Sequence, residues 1–289
     1  MKRLKVVSII GVGLIGGSLG MALRKRKAAS KVIGIGRNPA RLKMAITLGA
    51  VDRATTDFRA GVKDAQIVVI ATPAGLIPEM VKKVLPYVKE DCIITDVGST
   101  KKVIVKKIQS FLPSGIHFVG AHPLAGAEVG GVKNARPDLF QGAYCILTPV
   151  AGTNPKALAV IKKMWQSVGA GVIEISPEQH DTILAFTSHL PHLVAVSLMG
   201  LVHRYSKKYK NFSKFIAGGF RDTTRIASSP GEIWRDIFLT NRAEILRALA
   251  GFKREIDSIE SFIRTEDGDS LRKKLEFAKR QRDLLLKNR

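Results

Sequence analysis

Several short stretches carry residue types able to do chemistry. "FVGAHPLAGAE" (118–128) ends an apolar run on His122 and follows it at once with Pro123. An imidazole titrates near neutrality, so it can take up a proton at working pH. Pro123 biases His122 towards extended backbone and stiffens the loop. A histidine held this way suits a general base; its plainer alternative is a residue that only bonds loop backbone. "DVGSTKK" (96–102) offers Ser99 or Thr100 as the cap of a following helix, and a Ser99 hydroxyl there can also face a ligand. "SHLPH" sets His189 and His192 one helical turn apart around Pro191, and "GGFRDTTRIA" (218–227) holds Asp222 and Arg225. The latter two are one turn apart and in the simplest reading pair within a helix. Trp234 is most simply a packing residue. His189 and His192 have no third ligand at metal-site spacing, so no metal is expected.

A second set of residues points to a bound anion. Gly11-Val12-Gly13-Leu14-Ile15-Gly16 follows "LKVVSII" (4–10) and opens an amphipathic stretch. GxGxxG alone is weak, but between a strand and a helix it is the dinucleotide-binding turn. Gly11 allows the turn, Gly13 lets backbone approach a pyrophosphate, and Gly16 lets helix and strand pack closely. The helix N-terminus, Leu14 and Ile15 included, offers free N–H groups to phosphate. The second strand ends on Gly36-Arg37-Asn38 instead of the acid that binds the ribose in NAD sites. Arg37 suits a 2′-phosphate and favours NADP. NAD stays compatible, with Arg37 stacked on the adenine. Thr72 and Pro73 stand where such folds pass the chain over the dinucleotide.

The elements that must position these residues follow from the pattern. Strands are predicted at 4–10, 31–36, 65–72, 91–97, 116–121, 143–149 and 171–176, with helices at 14–26, 39–48, 77–85, 100–111 and 155–168. Alternation of this kind implies a mostly parallel sheet covered on both faces. After Ser176 strand runs vanish, and helices are predicted at 177–205, 211–227, 230–263 and 268–287, broken by Pro191, where a kink is expected, by the Gly218-Gly219 pair and by Pro230. The fold class is thus α/β: a Rossmann-like domain over 1–175, then an all-helical domain over 176–289.

Composition sets the outer bounds. The chain has 289 residues, with 47 Lys and Arg against 24 Asp and Glu, a net charge of +23. Such a balance favours anionic ligands, but the basic residues are scattered and no aromatic-basic alternation for base stacking is present. No nucleic-acid partner is expected. Cys92 and Cys145 read as buried reduced thiols. The N-terminal "MKRLKVVSIIGVGLIGGSLGMAL" imitates a signal peptide or membrane anchor. Its five glycines fall at strand-turn-helix spacing, so it reads as part of the fold. A cytoplasmic protein with no membrane partner is expected.

With these motifs in this order, from "GVGLIGGSLG" through "DLFQGAYCILTP" to "WRDIFLTN", the chain resembles the prephenate and arogenate dehydrogenases of tyrosine biosynthesis over nearly its whole length. The resemblance implies NAD(P)-dependent oxidative decarboxylation of prephenate, or of arogenate, by a homodimer formed through the helical domain. It implies that His122 bonds the substrate's ring hydroxyl with Ser99 beside it, and that Arg225 holds the ring carboxylate. It places His189, His192, Asp222 and Trp234 around the pocket. Glu128 matches a family position without an assigned role. Arg37 departs from the acid of NAD-preferring relatives. No fused chorismate mutase or C-terminal regulatory domain is expected. As a base, His122 must be neutral, which predicts an activity limb near the ordinary imidazole pKa of ~6.5. The competing readings are a β-hydroxyacid dehydrogenase or imine reductase on a similar scaffold, and a cofactor-binding sensor without catalysis.

Overall fold

Leu4–Ile10 forms the first strand (β1), with Val7 and Ile9 buried on one face of the sheet and Ile10 on the other. The chain then turns through the glycines into helix α1 (Leu14–Lys25) and returns as β2 (Ala29–Ile35). The computed structural model describes residues 3–127 and 129–287, so Glu128 lies outside the described residues. Helix α2 (Pro39–Thr47) starts where Asn38 accepts the Arg41 N–H and Pro39 presets the first turn. Next come β3 (Arg53–Thr55), α3 (Phe58–Val62), β4 (Ile67–Ile70), α4 (Ile77–Val84), β5 (Ile93–Asp96) and α5 (Lys102–Gln109). The sheet is completed by β6 (His117–Pro123), β7 (Tyr144–Thr148), α6 (Pro155–Ser167) and β8 (Gly171–Glu174).

The eight strands run β3-β2-β1-β4-β5-β6-β7-β8. All neighbours are parallel except β6 and β7. One face is covered by α1 and α6, where Leu19, Leu23, Ile161 and Trp165 are buried, and the other by α4 and α5 through Ile77, Val81, Ile104 and Ile108. Cys92 and Cys145 are buried free thiols, and burial pushes Cys92 up to about 12. The mostly parallel sheet and its helices agree with the pattern. The additions are β3 and α3, which the sequence reading passed over.

The helical segment begins with α7 (Pro177–Leu184), fixed by a capping box between Ser176 and Gln179. A π-helical turn, Ala185–His189, joins it to α8 (Leu190–Ser206). The proline effect expected at Pro191 is thus met by a widened turn just before it. By length and composition Pro177–Ser206 could cross a membrane, but it carries buried His180, Asp181, His189 and His192. Over 211–227 the break expected at Gly218-Gly219 falls between a 3₁₀ turn (Phe212–Phe215) and α9 (Gly218–Thr224), and a second 3₁₀ turn (Arg225–Ser228) follows. The helix expected over 230–263 is two, α10 (Gly231–Thr240) and α11 (Arg242–Arg264), parted at Asn241.

The chain divides after Arg242 into two compact units. The second holds most of α11 and α12 (Gly268–Leu286), where Asp267 caps α12 through the Ser270 N–H and Lys274 pairs with Glu255.

Candidate active site

A cleft of about 1500 Å³ opens above β1 and β2, lined among others by Gly11, Gly13, Arg37, Arg41, Thr72 and Pro73. Gly11 has φ +94°, and a Cβ there would lie 2.5 Å from the Ala71 carbonyl oxygen. A Cβ on Gly16 would lie 2.3 Å from the Gly11 oxygen, so this glycine lets the helix seat on the turn. A Cβ on Gly13 would meet nothing within 4 Å: its backbone faces open cleft. Leu14 and Ile15 pack against the core, leaving the backbone of the first turn as their contribution to a ligand. That turn holds no acid, as a site for phosphate requires. Thr72 Oγ1 is buried without a hydrogen-bond partner among the described residues. Open backbone, a bare helix start, an orphaned hydroxyl and two arginines fit a dinucleotide.

His122 lies near the carboxyl end of β6, at the same edge of the sheet, in a position the sequence reading placed differently. It does not follow β6 but belongs to it, because antiparallel pairing with β7 extends the strand to Pro123 and sets His122 opposite Ile146. The residue is buried, 8% exposed. His122 Nδ1 lies 2.8 Å from His180 Nε2, and His180 Nδ1 lies 2.7 Å from Asp181 Oδ1. Burial is the main cause that holds His122 well below the ordinary imidazole value, helped by His180, Lys101 and His189. The neutral form therefore persists to lower pH, and the expected activity limb moves below ~6.5.

Asp181 also corrects the expected cap of α5. Neither Ser99 nor Thr100 caps it. The cap position is Lys101, and the Asp181 carboxylate accepts the Lys101 N–H at 2.7 Å and the Lys102 N–H at 3.0 Å. Thr100 Oγ1 bonds Thr240 Oγ1 instead, at 2.8 Å. Ser99 is half-buried in the same loop, and no hydrogen bond joins it to His122 among the described residues. Beneath the loop the Lys101 ammonium pairs with Asp96, both fully buried. Asp96 further accepts the Gly98 N–H at 2.8 Å and the Ala121 N–H at 3.1 Å.

His189 and His192 meet Trp234. His192 stacks on the indole with ring centroids 3.5 Å apart and 6° between planes, and His189 meets it edge-on at 6.2 Å. The Asn241 amide donates to His189 Nδ1 at 3.2 Å and to the Asp181 carbonyl at 2.8 Å. His189 therefore carries its proton on Nε2, which is buried without a partner among the described residues, as is His192 Nδ1. Burial lowers His189 to about 4 and lowers His192 as well. Asp222 and Arg225 stand exposed on α9 and the turn after it, which pack on α8. Sequence reasoning missed His180, Asp181, Lys101, Asp96 and Asn241. The signals were present as the pair "HD" and as an acid and a lysine five residues apart across a turn.

Comparison with known proteins agrees with this architecture. The model of the prephenate dehydrogenase nucleotide-binding domain matches residues 19–174, and that of the prephenate dehydrogenase dimerization domain matches residues 176–277. The chain is 39% identical to Bacillus subtilis prephenate dehydrogenase, over 98% of this chain and 77% of that protein. It is 37% identical to Zymomonas mobilis cyclohexadienyl dehydrogenase, over 94% and 92%. Among solved structures it resembles A. aeolicus prephenate dehydrogenase in complex with hydroxyphenyl propionate and NAD+, with TM-score 0.90 and 35% identity over 98% of this chain and 99% of that one. A nucleotide-binding sheet domain followed by a helical dimerization domain, matched along nearly the whole chain, places this protein in the prephenate dehydrogenase family.

Proposed function

We propose that this chain catalyses the NAD(P)-dependent oxidative decarboxylation of prephenate to 4-hydroxyphenylpyruvate, with arogenate as the alternative substrate. The observation that carries the reading is His122: a buried, neutral imidazole near the carboxyl ends of the strands, in the domain that holds the dinucleotide cleft. The relative named cyclohexadienyl dehydrogenase supports keeping arogenate open. We assign residues 1–175 to dinucleotide binding and 176–289 to substrate binding and homodimer formation, in the cytoplasm.

The backbone of Gly11, Gly13 and the first turn of α1, through Gly16, would hold the pyrophosphate, with Thr72 and Pro73 over it and Arg37 at the adenosine ribose. When bound, the nicotinamide supplies a hydride acceptor. His122 takes the proton of the ring hydroxyl as the carbon–hydrogen bond breaks, and Ser99 lies beside that hydroxyl. His189 Nε2 and His192 Nδ1, both without partners among the described residues, are the polar contacts offered to the substrate, with Trp234 fixing the His192 ring. Asp222 supports Arg225, which grips the ring carboxylate. The ring then loses carbon dioxide and becomes aromatic.

The role of Arg225 has a kinetic signature. The carboxylate loses its charge as carbon dioxide forms, so a guanidinium that grips it favours the ground state over the late transition state. Its benefit lies in affinity and in fixing the ring. Arg225→Ala is expected to raise KM for prephenate by ~10-fold or more, as for a lost charged contact, with little change in kcat. A loss confined to kcat contradicts it.

Arg37 is assigned to the 2′-phosphate of NADP. Arg37→Asp is expected to shift the ratio of kcat/KM for NADP over NAD towards NAD by ~10-fold or more, the scale of one charge-assisted contact. An unchanged ratio leaves Arg37 on the adenine face. The test of the whole reading is initial rates of nicotinamide reduction with prephenate or arogenate and NAD or NADP. Turnover with one pair fixes substrate and cofactor. Dinucleotide binding without turnover on any pair overturns it.

A further inference from the structure

The pair behind His122 is used by nothing in the reaction as described so far. His180 is fully buried, yet it keeps both ring nitrogens within hydrogen-bond reach of other titratable groups. Donation along this line has only one consistent direction. Asp181 accepts backbone N–H groups on both carboxylate oxygens, so it stands as an acceptor towards His180 as well. His180 Nδ1 must then carry the proton, and in the neutral ring its Nε2 is a lone pair. That lone pair requires the N–H of His122 on Nδ1. The opposite tautomer of His122 would set two lone pairs against each other at 2.8 Å. His122 Nε2 is thereby left as the basic nitrogen.

We propose that His180 and Asp181 are positioning residues that fix the tautomer of His122 and share the proton it takes up. This rests on the reading of His122 as the base. As the substrate hydroxyl gives its proton to His122 Nε2, the proton on His122 Nδ1 moves towards His180 Nε2. The imidazolium charge is then spread over two rings, one of them against the Asp181 carboxylate. One proton enters the pair, one passes within it, and no electrons are exchanged.

The surroundings suit an arriving positive charge. The groups facing His122 are His180 from α7, Lys101 and Asp96 from the end of β5 and its loop, His189 from the π-helical turn, and the Cys145 thiol from β7. Lys101 neutralises Asp96. Asp181 has no cationic side chain of its own to match it among these groups, and the N-terminus of α5 offsets it through the Lys101 and Lys102 N–H groups. The cluster thus holds one carboxylate in reserve for the proton. The buried, neutral resting state of His122 and His180 agrees with this.

The test separates the relay from a merely structural bond. His180→Gln keeps an acceptor for His122 and a donor for Asp181 but cannot take a proton. It is expected to lower kcat by ~10–100-fold, the scale of losing a group that orients a first contact. KM and dinucleotide affinity should stay within about twofold, and the acid limb of kcat/KM should move. His180→Ala, which also frees the tautomer, is expected to fall further. Wild-type kcat and an unmoved limb in His180→Gln overturn the relay. His122→Asn, measured alongside, separates the two ideas. If it is inactive while His180→Gln is normal, the base stands and the relay falls; if His122→Asn turns over normally, both fall. Nitrogen-15 imidazole NMR of the wild-type protein gives a readout independent of folding in the variants. A proton on His122 Nδ1 is expected, and a proton on Nε2 overturns the proposal.

Discussion

His122→Asn is expected to lower kcat by ~10²–10⁴-fold, the usual contribution of a positioned general base. Asparagine is close to imidazole in size and can still donate to His180 Nε2, so the β6–β7 ladder and dinucleotide affinity should survive. The pH profile makes the result specific. Burial, with Lys101 and the neighbouring histidines, disfavours the charged form of His122 and lowers its pKa well below the ordinary value. The neutral form is the active one, so wild-type kcat/KM should hold through pH ~6.5 and fall only as pH drops towards the lowered pKa. His122→Asn removes the group that titrates, so its residual kcat/KM should lose that limb. A limb unchanged from wild type would falsify the assignment.

Lys101→Met is expected to destabilise the protein by about 3 kcal/mol, the lower end of the range for stripping one partner from a buried ion pair. Asp96 would keep the Gly98 and Ala121 N–H groups but lose its counter-charge in a fully buried site. Urea unfolding reads the loss, and adding Asp96→Asn should recover part of it, because the amide carries no charge to strand. A second effect goes with it. Lys101 is one of the charges that lower His122, and in the single variant Asp96 is also left uncompensated. The acid limb should therefore move to higher pH. Equal stability of wild type and variant would show that the pair contributes nothing to folding.

These two residues also show how far the sequence could be read. The Gly11–Gly16 turn, the strand-helix alternation and His122 were legible because each is written in contiguous residues. The short β3 and α3 escaped because three and five residues give no period to detect. The cap of α5 was misread for a different reason. Ser99 and Thr100 are sound local candidates, but the carboxylate that serves comes from Asp181, about 80 residues on. His122 was set beyond its strand because antiparallel pairing with β7, which no local signal announces, extends β6 by two residues past 121. Asn241, which parts α10 from α11, is a polar residue without Pro or Gly nearby. Its role comes from bonds to Asp181 and His189 made only in the fold.

The π-helical turn at Ala185–His189 sets a counting rule for the site. In an unbroken α-helix, successive steps of ~100° would put His189 on the face opposite His180. A π-helical turn takes up about one extra residue, which cuts that separation to ~80° and brings His192 within ~20° of His180. Asp181 and His189 then share a face, as their common partner Asn241 requires. Closing this turn into an ordinary helix at unchanged length would swing everything after it by ~100°, whereas removing one residue as the turn closes would leave His189 and His192 at the same angles. The widening of this turn, rather than the number of residues in it, therefore keeps the two histidines in phase with His180, and substitutions that close it at full length should disturb the site more than loss of one residue.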